Sequence, residues 1–366
     1  MGRKISLVTP SLFTHNGANV ALGGAERYTR DLALLCRELG FEPTVRQFGV
    51  ESWERSYEGI PVKAYPWNGD HADCVERIMQ PDLASADHVI YVSLTTQRVY
   101  KPNSITICHG IWFDNQQWAG IDVAGWHIVP ALQQAAAVVA VDLAFVQYCR
   151  SVIPKVNNNK MIYIPNYVDI DLFQPGSRAP DGMLEILFPR RNAPERGIYT
   201  MQVIMPQMLA KYPKLRFNLA IDQNSPQMTA EWEAWWRVQP QLERILYGHY
   251  PLDLMPEVYR RADIVVVPSV WAEGTSLSVL EAMACAKPVV CTHVGGLANL
   301  VLPNFNGKIV NTTSVAVKTA LEEYIKDPAE RLRHGENARR VAEQAFTKKR
   351  WAGQWTQIIH SVFGSP

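Results

Sequence analysis

The stretch Ile264-Val-Val-Val-Pro-Ser-Val-Trp-Ala-Glu-Gly-Thr-Ser-Leu-Ser-Val-Leu-Glu-Ala-Met-Ala284 opens on four β-branched residues, breaks at a proline, and re-enters apolar residues at helical spacing. A run with no polar position suits a strand covered on both faces, as in a parallel sheet. Outward from it the same alternation repeats. Strands are expected at Leu184–Phe188, Leu215–Ile221 and Pro288–Cys291, and helices at Tyr199–Lys211, Leu254–Arg261, Leu277–Ala286 and from Val315 onward. An earlier series carries strands at Lys4–Thr9, Phe41–Phe48, Val89–Ser93 and Ile105–Cys108, a helix at Glu26–Leu39 ended by Gly40, and a helix end followed by a strand in Ala131–Val141. Gly176–Gly182, rich in Gly, Pro and Ser, is the expected linker. Two such series predict an α/β protein of two Rossmann-like, doubly wound parallel-sheet domains facing a central cleft, over 1–178 and 179–346, with a closing helical segment 347–366. Ligands of such sheets sit at the carboxyl ends of the strands.

The 366 residues carry 36 basic and 35 acidic side chains, a formal charge of +1 that draws the whole chain neither to nucleic acid nor to an anionic membrane. With 47% hydrophobic and 19% charged residues, the composition is that of a folded globular protein. No apolar run reaches the roughly 20 residues of a membrane span; the longest candidate, Ala135–Val146, is broken by Asp142. Met1–Pro10 holds too few apolar residues for a secretory signal and reads as a first strand, so a cytoplasmic location is expected. The six cysteines form no C-x-x-C pair, which argues against a zinc ribbon and suits small buried hydrophobes in a reducing compartment.

Chemistry is expected in the opening stretch. Thr275 or Ser276 is placed to cap the helix, leaving the amides of its first turn to face an anion such as a phosphate. Glu273 and Glu281 lie about two helical turns apart, or ~11 Å if the whole interval is helical. That is too far to share a proton and suits a grip on two ends of an elongated ligand: Glu281 on a ribose diol, Glu273 on the hydroxyls of a transferred sugar. The E-x7-E spacing, the preceding Pro268-Ser269, the following Ala286-Lys-Pro-Val-Val290 and the later Gly295-Gly296 together resemble the retaining glycosyltransferases of family four, which have the GT-B fold.

The resemblance runs through most of the chain. Gly23-Gly24 looks like the glycine pair that opens the family's first helix, where the missing side chains let a backbone approach a diphosphate or sugar. Thr106-Ile-Cys-His-Gly110 resembles its histidine loop and implies that His109 contacts the donor sugar and phosphate. In Pro189-Arg-Arg-Asn-Ala-Pro-Glu-Arg-Gly197, Arg191 falls on the family arginine and Arg196 on the position usually held by lysine, implying that both neutralise the leaving diphosphate; Arg190 replaces a glycine. Tyr247-Gly-His-Tyr250 resembles the strand end beside the nucleotide base, so Gly248 and His249 join the donor set, as do Gly274, Thr275, Ser276 and Leu277. Asp169-Ile-Asp171 has the form of a metal-binding D-x-D, but it sits beside the linker and the family resembled needs no metal, so no metal site is assigned and no cofactor is expected beyond the nucleoside-diphosphate sugar as co-substrate. Trp112, Phe113, Trp118 and Trp126 surround a polar stretch in the acceptor-side half; sugar stacking and core packing both remain open for them. In GT-B enzymes the last helix crosses back to the first domain, and the amphipathic 347–366 fits that role.

The expected function is transfer of a sugar from a nucleoside-diphosphate sugar to an acceptor hydroxyl on a glycan, lipid-linked or small molecule, with retention and without metal, as in polysaccharide biosynthesis. Other GT-B chemistry, such as a sugar-nucleotide epimerase or a glycoside phosphorylase, stays open, as does a non-catalytic carbohydrate-binding protein of the same fold. Expected partners are the donor and a carbohydrate or lipid-linked acceptor, with no nucleic acid. Peripheral contact with the inner face of a membrane is left open, and so is the oligomeric state.

Overall fold

The computed structural model describes residues 2–21, 23–113, 120–153, 158–176, 181–221, 225–271 and 273–365, and the chain divides into two compact units. The first comprises residues 1–165 with 351–366, the second residues 166–350.

The first unit holds β1 (Lys4–Val8), β2 (Glu42–Gly49), β3 (Trp53–Tyr57), β4 (Ile60–Pro66), β5 (His88–Tyr91), β6 (Ile105–Cys108), β7 (Ala137–Ala140) and β8 (Met161–Tyr163), in the order β3-β4-β2-β1-β5-β6-β7-β8. All neighbours run parallel except β3 with β4. The helix Gly24–Glu38 turns Tyr28, Leu32, Leu35 and Cys36 inward, and Gly40 beyond its end has φ +87°. The last helix, Lys348–Phe363, buries Trp351, Trp355, Ile359 and Phe363, one residue per turn. From Trp351 onward it belongs to this unit, where the Trp355 indole N–H donates to the Tyr28 hydroxyl at 2.7 Å.

The second unit is all parallel: β9 (Leu184–Phe188), β10 (Leu215–Ala220), β11 (Ile245–Gly248), β12 (Ile264–Val267), β13 (Val289–Thr292) and β14 (Gly307–Val310), in the order β11-β10-β9-β12-β13-β14. Ile264–Val267 is buried at every position, as a strand covered on both faces requires. Strand order reverses between β9 and β12, so the loops leaving those two strands flank the switch point where a doubly wound sheet opens a crevice.

Val168 and Phe173 lie in the core of this second unit beside Tyr259 and Val265, so the segment after Pro165 packs with the sheet that follows it. The boundary expected at 178–179 falls among residues outside those described. In the D-x-D, Asp169 Oδ1 accepts the backbone N–H groups of Asp171 and Leu172, both at 3.0 Å, and closes a local turn. Among the described residues, no helix is long and apolar enough to cross a membrane, and all six cysteines are buried and free.

Candidate active site

Two glycines lock the loops around Glu273. Gly197 has φ +85°, and a Cβ there would stand 2.1 Å from the Pro268 carbonyl oxygen; alongside, Val270 N–H donates to the Glu195 carbonyl at 2.9 Å. Gly295 has φ +48°, and its Cβ would fall 1.9 Å from the Glu273 carbonyl oxygen, while Gly296 N–H donates to that same oxygen at 2.9 Å. Only residues without a side chain allow these approaches. The loops after β9, β12 and β13 are thereby fixed against one another at the carboxyl end of the sheet.

The Glu273 carboxylate is the meeting point. Its Oε2 accepts from the Ser269 hydroxyl at 2.7 Å, from Arg196 at 2.7 Å and from Arg190. The three charged side chains are 7%, 15% and 8% exposed for Glu273, Arg196 and Arg190. Arg190 also donates through Nη1 to the Ser276 and Ser278 hydroxyls at 3.1 and 3.3 Å, and through Nη2 to Ser269 at 3.3 Å. A guanidinium offers five N–H donors. Protein groups take those on Nη1 and Nη2, and the last, Nε–H, is buried with no partner among the described residues.

Burial by itself would raise the Glu273 pKa, but the Arg190 and Arg196 charges and the Ser269 bond hold it below the usual carboxylate range. Burial also lowers the Arg190 pKa, against the pull of Glu273; a guanidinium still keeps its proton at neutral pH. One carboxylate faces two guanidiniums, so the cluster keeps a net positive charge. The helix Leu277–Ala284 starts beside it and adds the positive end of its dipole. Ser276 is the N-cap residue, yet its side chain makes no cap bond, because its hydroxyl serves Arg190. Thr275 is fixed from both sides: its hydroxyl accepts Asn166 N–H at 2.9 Å, and its carbonyl accepts Asn166 Nδ2 at 2.6 Å.

The other sequence-predicted residues are distributed as follows. Arg191 is exposed on the loop, and its neighbour Arg190 is the one that reaches Glu273. Arg190 and Asn166 were missing from the predicted set, although Arg190 stood inside the stretch quoted for it. Glu281 is 6% exposed and lies close enough to the Tyr259 phenol for its charge, after burial, to raise that group's pKa. Gly274 is half-buried beside Glu273, and Leu277 begins the helix. Gly248 ends the edge strand β11, and His249 beyond it is exposed.

Gly23, Gly24 and His109 belong to the first unit. Gly23 caps the helix Gly24–Glu38, and the Glu26 carboxylate folds back over it: a Cβ on Gly23 would lie 2.3 Å from Glu26 Oε2. His109 follows β6 with its ring edge-on to Tyr28 at 5.1 Å. Burial pulls its pKa down to about 4 against a bond to the Val92 backbone, and Nε2 is buried without a partner among the described residues. The imidazole is neutral at pH 7. Trp112 and Phe113 pack edge to face at 5.3 Å, Trp126 is 52% exposed under the Arg98 guanidinium, and Trp118 lies outside the described residues.

Two parallel sheets of this kind, with these loops at a switch point, define the class: the architecture is the GT-B fold of glycosyltransferases. It is similar over 100% of both chains to sucrose-phosphate synthase from Thermosynechococcus elongatus, with a TM-score of 0.81 and 18% identity. It is similar over 98% of its length to all of Anabaena HepE solved with UDP and glucose, with a TM-score of 0.76 and 18% identity. More particularly, residues 177–341, which hold the whole Arg190–Glu273–Arg196 cluster, match the family described as glycosyl transferases group 1. Among curated proteins, the lipopolysaccharide core biosynthesis mannosyltransferase LpcC of Rhizobium leguminosarum bv. viciae is 35% identical over 126 residues, 33% of this chain and 34% of that protein. The first curated relatives are matched over about a third of their own length.

Proposed function

We propose that the protein is a retaining, metal-independent glycosyltransferase that moves a sugar from a nucleoside-diphosphate sugar to an acceptor hydroxyl. The observation that carries this reading is the buried cluster of two guanidiniums on one carboxylate at a helix N-terminus, which has positive charge to spare. A departing diphosphate gathers negative charge as the glycosidic bond to it breaks. Arg196, the spare Nε–H of Arg190 and the amides of Thr275–Leu277 stabilise that charge without reorganising, in a setting where burial strengthens each interaction. Guanidinium charge thus takes the place that a divalent ion fills in other transferases.

Around that centre, Glu273 takes the hydroxyls of the transferred sugar, Glu281 the ribose, and the backbone at Gly248 and His249 the base. In the first unit, the resemblance assigns donor contact to His109, whose uncharged ring has Nε2 unpartnered among the described residues, and to Gly23 and Gly24, where the missing side chains let the main chain approach a diphosphate or sugar. HepE, which shares the fold, was solved with UDP and glucose, and that supports a nucleotide-sugar donor here. The acceptor is a carbohydrate or a lipid-linked saccharide, and the work is done in the cytoplasm or at the inner face of its membrane.

Glu273→Ala and Arg196→Ala each cut transfer by roughly two decades or more while the fold persists. Release of nucleoside diphosphate from a panel of donors measures this directly, and wild-type turnover in both variants refutes the assignment.

A further inference from the structure

The helix Leu277–Ala284 is braced at both ends by one stretch of chain to which the donor chemistry gives no role, the segment 166–173. Asn166, the first residue of the second unit, meets the turn before the helix. Its backbone N–H donates to the Thr275 hydroxyl at 2.9 Å, and its Nδ2 donates to the Thr275 carbonyl at 2.6 Å. At the far end Arg339 ties the helix to the same segment, donating through Nη1 to the Ala284 carbonyl at 2.7 Å and to the Phe173 carbonyl at 2.8 Å. Between these ties the segment is itself anchored. Val168 N–H donates to the Phe346 carbonyl at 2.8 Å, and Val168 and Phe173 share a core with Leu280 and Met283 of the helix.

The Thr275 carbonyl and the Ser276 N–H belong to one peptide unit. That unit is planar and trans, so the two groups point in opposite directions. Seating the carbonyl on Asn166 therefore also fixes where the Ser276 N–H is aimed. The aim matters because the Ser276 hydroxyl is bonded to Arg190 and makes no cap bond to the first turn of the helix. Arg190, with its side chain 8% exposed, keeps its Nε–H buried and without a partner among the described residues. A main-chain donor directed by Asn166 and a buried guanidinium with an N–H to spare thus meet at Ser276, at the positive end of the helix dipole.

We propose that Asn166 is a positioning residue for the leaving diphosphate: its side-chain amide, by holding the Thr275 carbonyl, orients the Ser276 N–H toward that anion. The inference rests on the transferase reading and adds to it a residue that stands before the matched stretch 177–341. The chemistry explains why an amide is used here. Nδ2 donates to the carbonyl, whereas an aspartate in the same space has nothing to donate and sets a negative charge beside both the carbonyl and the anion. An alanine leaves the carbonyl unheld. Asn166 Oδ1 is buried without a partner among the described residues, so the side chain's hold on the protein is made through its donor end.

Ligand-observed NMR titration of the full chain tests this, with UDP, GDP and ADP as probes and their nucleosides measured beside them. Wild type binds at least one of the diphosphates. Asn166→Ala weakens that binding roughly tenfold, and Asn166→Asp, which matches asparagine in size and so guards against a packing defect, weakens it further. Neither variant changes the affinity for the corresponding nucleoside, which carries no phosphate for the Ser276 N–H to meet. A residue that merely supports the fold lowers both affinities together. Equal diphosphate binding in wild type and both variants overturns the role, and so does a loss that falls equally on the nucleoside; in either case the wild type still binds diphosphate and the transferase reading stands. If wild type binds none of the three diphosphates, both fall.

Discussion

At the scale of single residues, Arg190 and Arg191 are chain neighbours with opposite fates, one sealed among Ser269, Ser276, Ser278 and Glu273, the other in water. Removing one partner of a buried ion pair costs about 3–5 kcal/mol when the other charge is stranded. Glu273 keeps Arg196 and Ser269, so Arg190→Ala belongs at the low end of that range, together with a loss of transfer. Arg191→Ala stays within about 0.5 kcal/mol of wild type and transfers normally. Urea unfolding and turnover of the two variants side by side decide it, and equal behaviour would reverse the assignment. The family resemblance selected Arg191, because Arg191 falls on the family's arginine five positions before Arg196. What a sequence match does not carry is the direction in which a loop aims each side chain: Arg190 reaches Glu273 and Arg191 meets solvent. Glu273 was legible because a buried strand and a proline leave little freedom as to where the next loop emerges.

Among the elements, the helix Leu143–Val152 carries a cost that pH can expose. Asp142 caps it, with Oδ1 accepting Phe145 N–H at 2.8 Å, but the residue is 0% exposed and its Oδ2 is buried without a partner among the described residues. Burial lifts its pKa to about 6, only partly offset by the Phe145 and Ala144 N–H groups. A carboxyl whose folded pKa exceeds its unfolded one binds more protons in the native state, so stability falls as pH rises from about 4 to about 6. Asp142→Asn keeps the cap acceptor and removes the charge. It stabilises the protein at pH 7 by roughly 1–3 kcal/mol, and the gain shrinks toward nothing as the pH drops below about 4. A gain of the same size at pH 7 and in acid would show that the charge is not the cause. Elements with a strong apolar pattern were readable in advance: Ile105–Cys108, Leu184–Phe188 and Ile264–Val267 match residue for residue. The β3–β4 hairpin was not, because Trp53–Tyr57 is an edge strand with three exposed positions in five, and no alternation marks it. Its turn runs through Glu58 and Gly59, both at positive φ, a conformation the sequence signals only through the glycine.

For the molecule as a whole, the likenesses differ in kind between the units. Fold similarity covers the full chain at 18% identity, whereas the family match is confined to 177–341, wholly inside the second unit. The guanidinium cluster stands within the matched stretch. If the diphosphate is held by Arg190, Arg196 and helix amides, its binding stabilises the native protein by about 2.7 kcal/mol at a hundredfold excess over Kd. For a unit of this size that corresponds to a rise in Tm of roughly 5–10 °C. Hydrogen exchange should slow at 189–197 and 268–281 when nucleoside diphosphate is added alone. The same shift should appear with a chelator present, since no step of the proposed binding passes through a divalent ion. Loss of the shift on chelation would transfer the leaving-group chemistry from the arginines to a metal, and protection confined to other segments would move the donor site away from Glu273.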